Sequence, residues 1–130
     1  MDLVNLRRLI LFSAAIEAAT GLALLVLPSL LTDLLFGETV SGVSDVLARF
    51  LGVALITLGL NARRPKPVSG APDSGFALCF YNIAAALLLA ITAGSLGFRG
   101  PLLWPVVLLH ALFGIGLLIG LYTRSRRVSR

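Results

Sequence analysis

The chain has 130 residues, of which 58% are hydrophobic and 13% charged. Ordinary globular domains are about one-quarter charged. A mean hydropathy of +0.98 therefore excludes a small soluble fold and points to one integral membrane domain covering residues 1–130. The net charge of +5 does not argue for nucleic acid, because the basic residues flank apolar stretches instead of forming a basic-aromatic surface.

The first apolar stretch runs over about residues 9–27 and is closed by Pro28. Arg7 and Arg8 precede it, as in a signal peptide. Glu17 interrupts it, however, and no small-x-small cleavage site follows Leu27, so a retained span is expected. Ser29–Gly37 is too short to cross a bilayer. Its leucines 30, 31, 34 and 35 fall at helical spacing, with Ser29 placed to cap the start and Gly37 the end. A short interfacial helix is expected there, either a connector resting on lipid or a lid.

Three further spans follow, at about 43–60, 76–98 and 102–121. All four have roughly the 17–25 residues needed to cross the hydrocarbon core. Helices are required, since an open sheet cannot satisfy its backbone in lipid. The predicted fold class is thus an all-α integral membrane bundle of four transmembrane helices, with a short interfacial helix between spans one and two. The linker 61–75 is rich in Pro, Gly and charge and reads as irregular. Pro105 falls in the first turn of the fourth span, where proline is tolerated.

Nine of the 11 basic residues fall on one side: Arg7, Arg8, Arg63, Arg64, Lys66, Arg124, Arg126, Arg127 and Arg130. The other side holds Asp33, Glu38, Asp45 and Arg99. The positive-inside rule then places both termini in the cytoplasm of a bacterial inner-membrane protein. Phe98 and Trp104 fit the outer aromatic belt and Tyr122 the inner one.

Each span carries one strongly polar residue: Glu17, Arg49, Asn82 and His110. A charge at the bilayer centre costs roughly 2.5–3.5 kcal/mol on insertion scales, so such residues need partners inside the protein. Counting about 1.5 Å per residue from the inner end of each span puts them about 12, 16, 9 and 16 Å deep. They are therefore expected in one layer near the midplane. Gly21, Gly52, Ala86 and Gly114 lie three or four residues on, so each polar residue shares a helix face with a small one. Such faces allow close helix approach.

Glu17 and Arg49 form the sharpest expected pair. Arg offers a planar fork for a carboxylate or phosphate, so a ligand anion could compete for it. The plain alternative is a structural ion pair. His110 could shuttle protons or hydrogen-bond within the bundle. A bis-His haem site would require a second chain, and no cofactor or metal is expected. Asn82 fits interhelical bonding, and Tyr81 fits packing. The lone Cys79 excludes an intramolecular disulfide and fits a small buried hydrophobe. Gly116-x-x-x-Gly120 offers a close contact that a homodimer could use.

A faint internal repeat aligns residues 16–26 with 81–91 and residues 48–60 with 109–121, setting Glu17 near Asn82 and Arg49 opposite His110. Two such hairpins would be related by an axis along the membrane normal, with a site between them.

YNIAAALLLA (81–90) followed by LWPVVLLHALFG (103–114) resembles small four-span proteins from bacterial genomes, as do EAATGLALLVLP (17–28) and ARFLGVALITLGL (48–60). That resemblance implies a four-helix membrane fold and no particular activity. The chain is also superficially similar to small multidrug resistance transporters in having four spans and a first-span glutamate. Those proteins lack an intramembrane arginine of this kind, so none of their functional residues is carried over.

The sequence favours binding or transport of a small polar or anionic solute by Glu17, Arg49, Asn82 and His110, with a proton-linked form of the same idea. Two alternatives stand beside it: a non-catalytic scaffold or accessory subunit, and an enzyme or binder for a lipid-soluble substrate. An enzyme is the less favoured reading, because no GxSxG, HExxH, P-loop or GxGxxG pattern occurs.

Overall fold

The computed structural model describes residues 3–63 and 74–128. The expected irregular linker falls largely at 64–73, outside the described residues, as do Arg64, Lys66 and Arg130. Five helices follow in order: α1 Leu3–Val26, α2 Pro28–Phe36, α3 Val43–Ala62, α4 Ser74–Ser95 and α5 Leu103–Val128. The chain is an all-α bundle, and α1, α3, α4 and α5 are each long and apolar enough to cross a membrane.

The helices outrun the apolar stretches at several ends. α1 begins at Leu3 and carries Arg7 and Arg8 in its first two turns. α5 continues to Val128, so Tyr122 and Arg124 are helical. Hydropathy marks where lipid begins, whereas backbone hydrogen bonding continues wherever no residue breaks it.

Pro28 separates α1 from α2. It lacks the N–H that would bond the Leu24 carbonyl, so the first helix cannot continue through it. At the first position of α2 the missing N–H costs nothing. Gly37 ends α2 in the left-handed conformation, φ 74°, its N–H bonded to the Asp33 carbonyl. The expected cap at Ser29 does not form. Leu27 is the N-cap residue, and Ser29 Oγ instead donates to the Val40 carbonyl at 3.1 Å. The hydroxyl is spent on holding the α2–α3 connection.

α2 also clasps the α4–α5 turn. The Leu34 carbonyl accepts from Leu102 N at 2.9 Å, and the Phe36 carbonyl from Arg99 N at 3.3 Å. These last-turn carbonyls have no partner within their own helix. Gly100 is buried against the backbone of Leu34 and Leu35, where a Cβ has no room. α2 is therefore tied to one end of the bundle.

The helices pack mainly as two hairpins, α1 on α3 and α4 on α5, with α1 also touching α5. Glycines set the first contact. A Cβ on Gly21 would sit 2.5 Å from the Gly52 carbonyl oxygen, one on Gly52 2.6 Å from the Gly21 oxygen, and one on Gly59 2.5 Å from the Ala14 oxygen. Backbones this close gain dispersion contacts along their length, the usual source of helix association in lipid. Between the two hairpins, toward the terminal end, lies a core of Leu6, Ala14, Ala62, Leu78, Cys79 and Leu117. Gly116 meets Leu9 of α1 and Gly120 is buried, so this glycine pair takes part in packing within the chain.

Candidate functional site: a buried acid–amide–imidazole centre

Above that core, α1, α4 and α5 bring Ser13, Glu17, Asn82 and His110 together. Ser13, Glu17 and Asn82 are fully buried and His110 is 7% exposed. Asn82 organises the group. Its Nδ2 donates to the Leu78 carbonyl at 2.9 Å and to Ser13 Oγ at 3.1 Å. Because a carbonyl can only accept, the Leu78 bond fixes which end of the amide is nitrogen. Asn82 Oδ1 therefore faces His110, 2.9 Å from Nδ1. The imidazole must donate from Nδ1, which leaves Nε2 as the acceptor of a neutral ring. Tyr81 meets the same ring edge-on, with centroids 5.7 Å apart at 83°.

Glu17 is the exception. Neither carboxyl oxygen has a hydrogen-bond partner among the described residues. Beside it lies His110, whose Nδ1 is 3.7 Å from Oε1, ion-pair distance when the ring is doubly protonated. An isolated carboxylate in an apolar medium is very costly, so this group needs a proton, a cation or a charged neighbour.

Arg49 is not that neighbour, and the expected Glu17–Arg49 pair does not form. Arg49 Nε donates to Asp45 Oδ2 at 2.8 Å, and Nη1 donates to the Leu25 carbonyl. The reason is register. Close contacts pair Ala14 with Gly59 and Gly21 with Gly52, seven residues apart on each helix. By the same count Glu17 is level with Ile56, and Arg49 with Leu24 in the last turn of α1. Arg49 is then about 10 Å along the axis from Glu17. A cation suits the C-terminal end of α1, where carbonyls lack helical partners. Its side chain is 44% exposed and that of Asp45 29%.

The single expected layer is thus two separate centres. Three of the four candidate residues, Glu17, Asn82 and His110, meet; Arg49 does not join them. The hairpins also differ at the positions the repeat aligns: His110 meets Asn82 directly, whereas Arg49 lies opposite Leu25 rather than Glu17.

Ser13 and Tyr81 complete the centre and were not singled out as site residues. Ser13 is one turn before Glu17 on the same face, a spacing that could have identified it. Cys79 is buried as expected, with Sγ 3.5 Å from the Gly114 carbonyl. Among the described residues no group of His, Cys, Asp and Glu is arranged to hold a metal ion. The chain matches no protein-family model, no curated protein and no solved structure.

Proposed function

We propose that the Glu17–Asn82–His110 centre is a proton-binding site in a multi-pass membrane protein that binds or carries a small polar solute. The observation that carries this reading is the Glu17 carboxyl, fully buried beside a histidine and without a hydrogen-bond partner among the described residues. A proton needs no cavity: His110 can take one up at Nε2, the nitrogen left free by the Asn82 bond, and the doubly protonated ring then stands at ion-pair distance from the Glu17 carboxylate. Asn82 holds the imidazole in one tautomer, as the orienting group of an acid–base pair does. With Arg49 elsewhere, the centre presents an acid and no fixed cation. A solute meeting it would offer hydrogen-bond donors or positive charge, in place of the anion suggested by the sequence.

Infrared difference spectra of reconstituted protein between acid and alkaline buffer test this. Wild type should show the C=O stretch of a buried protonated carboxyl. Glu17→Gln should lose that band, and His110→Gln should shift it. A spectrum unchanged by Glu17→Gln refutes the assignment.

Asn82 favours a second reading, in which the centre is a clamp for a membrane scaffold. Its amide joins α1, α4 and α5 through Ser13 and His110. Under that reading Glu17 is dispensable, and the band is absent from wild type.

A further inference from the structure

A second candidate site lies at the α2 end of the bundle. A partly open cavity of about 350 Å³ is walled by α2, the α2–α3 connection, the first turn of α3 and the outer end of α4. Thr92, on its wall, is ten residues beyond Asn82, about 15 Å along α4, so the cavity is distinct from the Glu17 centre.

Its lining combines two kinds of group. Phe36 and Phe98 both face it, their centroids 5.3 Å apart and their planes inclined at 58°, so the rings form a corner. Glu38 supplies a carboxylate that has no ion-pair partner among the described residues. Thr39, Ser41 and Ser44 add hydroxyls that make no side-chain hydrogen bond among those residues. The walls are held before any ligand arrives. Arg99 N bonds to the Phe36 carbonyl beside Phe98, and Ser29 Oγ fixes Val40 in the connection.

Aromatic faces attract cations through the ring quadrupole, and a carboxylate adds a full opposite charge. Rings together with one acid select a soft organic cation over an anion or a strongly hydrated metal ion. From this cavity we infer a binding site for an organic ammonium group. The group belongs either to a free amine or quaternary ammonium solute or to the headgroup of a lipid at the bundle surface.

Tetramethylammonium chloride is the probe, titrated into the full chain in phosphatidylglycerol nanodiscs and followed by saturation-transfer NMR. Saturable binding is expected for wild type. Glu38→Gln should weaken it at least about fivefold, and Phe98→Leu by a similar factor. Asp33→Asn, a charge change on the exposed face of α2, should bind as wild type does. Sodium acetate should show no saturable signal. Repeating the titration in phosphatidylcholine nanodiscs separates the sources: lost binding identifies a lipid headgroup, and retained binding a free ammonium solute. The assignment is overturned if wild type shows no saturable binding. It is also overturned if acetate binds equally, or if Glu38→Gln and Phe98→Leu both bind like wild type.

Discussion

Glu17 and Arg49 are both charged residues set in apolar helices, and they meet opposite fates. Arg49 reaches Asp45 one turn away and the carbonyl of Leu25 at the end of α1, with nearly half of its side chain exposed. Glu17 is sealed among α1, α4 and α5 and finds no hydrogen bond among the described residues. A long side chain near a helix end can reach polar partners, while a shorter one in the middle takes what its neighbours offer. The arginine is accounted for by structure alone. The glutamate is left in a state that only a proton, a cation or a ligand relieves.

The glycine contacts that set helix register keep these centres apart, so disturbing them has the largest effect. Gly52→Leu forces a side chain against the Gly21 carbonyl. It should destabilise the protein by about 3 kcal/mol, read from unfolding in a denaturing-detergent titration. Asn82→Leu acts on the buried centre alone. It strands the Ser13 hydroxyl and the His110 Nδ1–H, costing about 2 kcal/mol in the same assay. Glu17→Gln should have the opposite sign. Replacing an unpartnered carboxyl with a neutral amide should raise stability by about 1 kcal/mol, the usual trade between stability and function. A clear loss of stability would mean that the carboxyl has a structural partner.

Much of this contrast was visible in the residues. The four spans follow from apolar run length, and α2 from the spacing of its leucines between Pro28 and Gly37. The convergence of Glu17, Asn82 and His110 follows from depth counting and from the small residues beside each. Depth counted from the hydropathy edges misplaces Arg49, because those edges do not lie in one plane. Helices in lipid are set against one another by close backbone contacts, here Gly21 on Gly52 and Gly59 on Ala14. Those contacts slide Arg49 one full turn and more past the level of Glu17. Asp45, four residues before Arg49, was a local partner available from spacing alone. The cavity bounded by Phe36, Glu38 and Phe98 was not legible, because it needs the α4–α5 turn to dock on α2, a contact made by backbone groups.

The smallest effects separate the two accounts of Arg49. Arg49→Ala and Asp45→Ala should each cost little. Their double-mutant cycle should give a coupling of about 0.5 kcal/mol, as expected for a partly exposed i,i+4 pair.

The division of the polar residues into two independent centres is tested most directly by the cycle that joins them. Glu17→Gln and Arg49→Ala, made singly and together, are compared by unfolding free energy in the same detergent titration. Separate centres predict additive effects, within about 0.3–0.5 kcal/mol. A coupling above about 1 kcal/mol would show that Glu17 and Arg49 interact across the bundle and would contradict the account.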